Sequence, residues 1–189
     1  MNTNTVLAIV IALVVGIGLG ALAIYMFQQA RTRRLKERFG PEYGRVVAET
    51  GNRSRAEAML EHRRKRVEQL RIRPLEASER ARFQEGWRQI QSRFVDDPSG
   101  ALSEADRLIG EAMSLEGYPV LDFEQRAADI SVDHPAVVEN YREGHSIALR
   151  NAQGSASTED LRRAMIHYRT LFEALVGQPE WSQAERIKV

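Results

Sequence analysis

Four histidines, His62, His134, His145 and His167, are the only side chains of this 189-residue chain that titrate near neutral pH. His134 has the densest carboxylate surroundings, with Asp122, Glu124, Asp129 and Asp133 within the twelve residues before it. Such a set is where metal binding or acid–base chemistry would first be sought. A catalytic zinc takes three protein ligands at local spacings such as His-Glu-x-x-His. Neither that spacing nor a calcium loop occurs here. Asp122 and Asp133 read instead as helix caps, and Asp129 as a solvent-facing residue. His134, beside Pro135, reads as part of a helix start. His145 falls on the apolar stripe that holds Tyr141, and His167 flanks Tyr168; hydrogen-bonded core histidines are the expectation for both. His62 lies in a basic run and reads as solvated.

Other reactive constellations are missing. The chain has no cysteine, which removes disulfides, thiolate metal sites, thiol nucleophiles and lipoprotein acylation. Gly-x-Ser-x-Gly and the lysine-bearing phosphate loop do not occur. The expectation is therefore no catalytic residue, no metal and no cofactor. A hydrolase or metal-dependent enzyme built on the Asp122–His134 region is the weakest alternative.

The elements that would position these residues read as helices throughout, since apolar residues recur at helical spacing and no alternating strand pattern occurs. Phe83, Trp87, Ile90 and Phe94 form one stripe. Asp97 as cap with Pro98 behind it starts the next helix, which carries Leu102, Ala105, Leu108 or Ile109, Ala112 and Met113 and stops at Gly117. Asp122 caps a short helix with Phe123, Ala127 and Ile130. Asp133-His134-Pro135 opens another, with Val138, Tyr141, His145 and Ala148 on one face. Ser157 to Asp160 opens the last, bearing Leu161, Ala164, Met165, Tyr168, Leu171, Phe172 and Leu175 and closed by Gly177. Four longer amphipathic helices with short links suggest a compact bundle over 74–177. The tail, 178–189, reads as loosely held.

Ahead of the bundle the sequence changes character. The 22 residues from Val6 to Phe27 carry no charge; as a helix they would extend about 33 Å, enough for a hydrocarbon core about 30 Å thick. Arg31, Arg33, Arg34, Lys36 and Arg38 follow at once, whereas residues 1–5 carry no side-chain charge. Basic flanks are retained on the cytoplasmic side. The expectation is a single-pass signal-anchor in a bacterial inner membrane, with a short external N-terminus (1–5), a transmembrane helix (6–27) and the remaining chain in the cytoplasm. Ala21-Leu22-Ala23 has the form of a signal-peptidase site, but the basic n-region is missing and the apolar run is too long for a cleaved peptide. Ala8, Ala12, Gly16 and Gly20 recur every fourth residue. Such a face can pack a second membrane helix, giving a homodimer, and it also arises from span composition alone.

The formal net charge of +1 hides an asymmetry. Residues 28–73 sum to +8 and residues 74–189 to −7. The basic stem should continue the membrane helix to Phe39, break at Gly40-Pro41, form a short helix over 41–50, and restart at a capping box, Ser54 with Glu57, for a helix to about Leu70. That helix holds His62-Arg63-Arg64-Lys65-Arg66, pointing in every direction, with Arg63 interrupting the Ala56, Leu60, Val67, Leu70 stripe. Cations this close to an anionic leaflet are each stabilised by roughly 1 kcal/mol, within a Debye length of about 8–10 Å. Docking of the stem on the acidic bundle is the competing use of the same charges. Nucleic acid is not expected, because only Phe39 and Tyr43 supply stacking rings to the stem.

Arg38-Phe39-Gly40-Pro41-Glu42-Tyr43, Arg93-Phe94-Val95-Asp96-Asp97-Pro98, Gly117-Tyr118-Pro119, Asp122 through Asp129, Asp133-His134-Pro135 and His167-Tyr168-Arg169 together resemble a family of uncharacterised bacterial proteins, each an N-terminal membrane helix followed by a charged helical domain. The resemblance covers most of the chain after the apolar run and implies a bacterial membrane protein without an assigned activity. The expected function is an anchored protein-interaction module with a basic stem near membrane lipid and a protein partner. A lipid-surface or charge-switch sensor is the alternative.

Overall fold

The computed structural model describes the backbone of residues 3–119 and 122–177, and their side chains except those of 3–12 and 14. It is all-α, with eight helices and no strand among the described residues: α1 Thr3–Phe39, α2 Pro41–Thr50, α3 Arg53–Val67, α4 Ala77–Arg93, α5 Pro98–Glu116, α6 Phe123–Asp133, α7 Val138–Ala152 and α8 Thr158–Val176. The tail 178–189 and the side chains of Ala8 and Ala12 lie outside the described residues. Among the described residues, no helix is long and apolar enough to cross a membrane. The side chains of residues 3–12 and 14, eight of them in the apolar run 6–27, lie outside the described residues.

Local chemistry sets most helix ends where the sequence puts them. The Asp97 carboxylate accepts from Gly100 N at 2.9 Å ahead of Pro98, and Ser157 and Asp160 form a reciprocal capping box. Gly117 closes α5 at φ 108°, where a Cβ would stand 2.5 Å from the Arg71 carbonyl oxygen. Two ends differ. α3 starts at Arg53 rather than at a Ser54 box: Asn52, in extended conformation, accepts from Arg55 N at 3.0 Å, and Glu57 is bonded elsewhere. α6 runs through Asp133, which caps nothing; His134 closes α6, and α7 starts only at Val138 without a side-chain cap.

Two apolar cores form. The larger joins α4, α5, α7 and α8 with one side of α6, around Trp87, Leu102, Ile109, Met113, Tyr141, Tyr168 and Phe172. Trp87 stacks on Phe172 with ring centroids 4.6 Å apart. Gly144 lets α7 and α8 close on one another, since a Cβ there would stand 2.6 Å from the Tyr168 ring. The smaller core joins Leu35 and Phe39 at the end of α1 to Tyr43, Val46, Ala56, Leu60 and Val67 of the stem, and it takes Val132 from α6. Leu70 and Ile72 touch both cores. α6 is therefore the plank between stem and bundle.

Candidate functional site

Each turn of the basic segment of α1 presents an inner and an outer side. Leu35 and Phe39 fix the inner side by burial, 3% and 0% exposed. Phe27, Arg31, Arg34 and Arg38 then share a stripe at i, i+4, i+7 and i+11 that borders this inner side along α3. The five cations expected near lipid divide accordingly. Arg33 pairs with Glu37 at 2.8 Å, Lys36 lies 5.5 Å from the Tyr43 ring centre, and Arg38 stands 3.6 Å from Asp133 of α6. Arg31 and Arg34 form no ion pair among the described residues. Farther up the helix, Gly16 and Gly20 have nothing packed where a Cβ would stand.

α3 lies beside the same turns of α1 and runs in the same sense. The Thr32 hydroxyl donates to Glu57 at 2.7 Å, Arg53 donates to Thr32 at 2.7 Å, and Tyr43 donates to Glu57 at 2.9 Å. Burial pushes the Glu57 carboxyl upward, but bonds from Thr32, Tyr43 and Arg53 and the Arg53 charge outweigh it and hold the group below its usual range.

The cationic run of α3 is spent largely inside the molecule. Arg63, which breaks the apolar stripe in sequence, donates to Glu42 Oε1 at 2.8 Å. Glu42 also receives Arg45 at 2.7 and 2.6 Å and Arg142 of α7 at 3.3 Å. Its side chain is fully buried. Burial pushes the carboxyl up, yet the bonds and charges of Arg45, Arg142 and Arg63 prevail and keep it ionised below the usual range. Arg64 pairs with Glu61 at 2.6 Å and with Glu68. Arg66 Nε approaches Asp129 Oδ1 to 3.1 Å, and Gln125 donates to the same oxygen at 2.8 Å.

Asp129 is thus no surface carboxylate; it is 0% exposed, because α6 is covered on both sides. Burial raises its pKa against the Arg66 charge, and its second oxygen has no hydrogen-bond partner among the described residues. Asp133 accepts from the Tyr118 hydroxyl at 2.8 Å, and Asp122 caps α6 through Gln125 N at 2.9 Å. Of the acidic stretch singled out in the sequence, Asp129 and Asp133 receive the stem's own cations, Glu124 pairs with Arg142 of α7 at 3.1 Å, and Asp122 is committed to its helix. Among the described residues no three His, Asp or Glu side chains converge on a metal position. Glu42 carried no sequence signal, since nothing local to Pro41-Glu42 tells of arginines 21 and 100 residues away.

His62 is exposed, as its basic run suggests, whereas His134 and His145 are held by packing. His145 stacks on Phe123 at 3.6 Å, nearly parallel, and its Nδ1 lacks the expected hydrogen bond. Burial keeps it neutral more readily than usual, against the Asp106 charge. His134 is likewise lowered by burial. His167 Nδ1 lies 2.9 Å from Asn140 Oδ1. The hydroxyls of Tyr141 and Tyr168 are buried without a hydrogen-bond partner among the described residues, and burial together with the Asp106 charge raises the pKa of both. Those side chains fill the space between α5, α6, α7 and α8. No nucleophile is aligned with a base there.

Comparison with known protein families, with curated proteins and with solved structures finds no match for this chain.

Proposed function

We propose that the chain is a single-pass protein of a bacterial inner membrane, N-terminus outside, whose helical domain is held at the cytoplasmic surface as a non-enzymatic protein-interaction module. The observation that carries this reading is the continuity of α1. One unbroken helix runs from Thr3 to Phe39. Its upstream part presents Leu13, Val15, Ile17, Leu19, Leu22, Ile24, Tyr25, Met26 and Phe27 more than half exposed, around the whole circumference. Its last turns are buried in the smaller core. A helix whose described apolar side chains are exposed on every side calls for an apolar solvent. In hydrocarbon its backbone bonds remain internal, and Arg31 to Arg38 supply the cytoplasmic flank.

The absence of a linker has a mechanical consequence. α1 enters the domain as structure, so the domain hangs from the bilayer in one orientation and presents a fixed face to a neighbour. A hydrolytic reading of the Asp122–His134 region is disfavoured by occupancy: Asp122, Asp129 and Asp133 are each engaged by a cap, a cation or a hydroxyl. A lipid-surface sensor is favoured by one observation, the two unpaired arginines Arg31 and Arg34 next to the apolar run.

The test is carbonate extraction of membranes holding the full chain, with protease added to intact cells. Retention in the pellet, with the C-terminal domain protected, is the expected result. Release by carbonate, or digestion from outside, would overturn the proposal.

A further inference from the structure

Resting on the membrane reading above, we infer that the groove between α1 and α3 is a binding site for the phosphodiester headgroup of an anionic phospholipid, held by Arg31 and Arg34. The groove has a volume of about 920 Å³ and is lined by Phe27, Arg31, Arg34, Leu35, Arg64 and Lys65 among others. Five cations and two carboxylates border it. Both carboxylates are already engaged, Glu37 by Arg33 and Glu61 by Arg64, so the unspent charge of the groove is positive.

Its position along α1 fits this ligand. At 1.5 Å per residue, Arg31 lies about 6 Å and Arg34 about 10 Å beyond Phe27, the last residue of the apolar run. The headgroup layer adds roughly 5–8 Å to each side of the hydrocarbon core. Arg31 is therefore level with lipid phosphate, and Arg34 stands one turn deeper, facing the same way. Phe27, 72% exposed at the mouth, offers an aromatic surface to the acyl chains. Two guanidinium groups unpaired among the described residues match the two free oxygens of a phosphodiester, which Arg can engage through forked donors. A soluble phosphate would use the guanidinium pair but not the apolar mouth, so the two sources are separable.

The experiment reads lipid retained by the full chain after reconstitution in nanodiscs of phosphatidylcholine with phosphatidylglycerol, followed by detergent extraction and native mass spectrometry. Wild type should keep phosphatidylglycerol over phosphatidylcholine. Arg31→Gln with Arg34→Gln should lower that preference about tenfold or more, given roughly 1 kcal/mol for each cation near an anionic surface. Arg71→Gln with Arg88→Gln, which removes the same charge elsewhere, should leave it unchanged. An equal loss in both double variants, or no loss in the first, overturns the site. Displacement of the lipid by millimolar inorganic phosphate overturns the lipid assignment in favour of a soluble anion. Failure of the wild-type chain to enter nanodiscs overturns the membrane reading, and the site with it; insertion without selective retention overturns the site alone.

Discussion

Arg142 on α7 and Glu42 on α2, 100 residues apart in sequence, meet at 3.3 Å in the seam between the basic stem and the acidic bundle. Arg63 and Arg45 complete the shell around the same buried carboxylate. The opposite net charges of the two halves are thereby given a structural use: the stem is docked on the domain, while Arg31 and Arg34, next to the apolar run, form no ion pair among the described residues. The arginines that dock the stem, Arg63, Arg66 and Arg38, are not the ones proposed to meet lipid.

Removing the Glu42 charge should be costly, because it leaves Arg63 without an ion-pair partner and takes from Arg45 and Arg142 the buried carboxylate they share, leaving them Glu49 and Glu124. Glu42→Gln is expected to destabilise the full chain by about 3 kcal/mol, which for a chain of this size is a fall in Tm of roughly 6–12 °C. Thermal unfolding in detergent checks this. The folded-state carboxyl lies below its usual range, so its stabilisation is complete above the unfolded value near 4.5 and is lost as pH falls through the folded value.

Glu116, at the end of α5, behaves in the opposite sense. Burial and the charge of Asp133 raise its pKa to about 7, with Arg73 partly offsetting them. An acid whose folded pKa is raised destabilises the fold when ionised, so stability should decline as pH rises from about 4.5 through 7. Glu116→Gln should flatten that decline and gain about 1 kcal/mol at pH 8. Denaturant melts at pH 5.5 and pH 8 measure the difference, and an unchanged slope in the variant would contradict the assignment.

The approach of α7 to α8 depends on one missing methyl group. Gly144→Ala places a Cβ 2.6 Å from the Tyr168 ring, and Tyr168 is fully buried between its neighbours. Overpacking of this kind costs about 1–3 kcal/mol despite the better helix propensity of alanine. The readout is the denaturation midpoint at constant m-value.

Trp87 and Phe172 tie α4 to α8 through their stack. Trp87→Ala should cost about 3–5 kcal/mol through lost burial and a residual cavity, whereas Trp87→Phe should recover more than half of it. Equilibrium unfolding of the two variants distinguishes a packed ring from a merely covered one.

Most of this architecture was legible in the sequence, because its signals are local. Asp97-Pro98, Ser157 with Asp160, Gly40-Pro41 and the glycines after α2 and α5 each set a backbone angle or satisfy a free amide within a few residues, and the structure places helix ends at all of them. The misreadings share one cause. A single apolar stripe on α6 puts Asp129 in solvent, whereas α6 is covered by the bundle through Ala127 and Ile130 and by the stem through Val132. Ser54 and Glu57 had the spacing of a capping box, but Glu57 is drawn away by Thr32 and Tyr43 from other helices. Contacts between distant segments decide such cases, and they leave no periodic trace. The candidate lipid site was half legible: the arginines of α1 were evident, but which of them remain unpaired depends on Glu37, Tyr43 and Asp133.

Where α1 lies decides the topology most directly. The chain has no cysteine, so single cysteines at Thr5, Leu19 and Ser78 can be probed one at a time in intact cells with a membrane-impermeant maleimide. Labelling at position 5, none at position 19 even after lysis, and labelling at position 78 only after lysis is the expected pattern. Labelling of position 78 in intact cells, or of position 19 in sealed membranes, would contradict it.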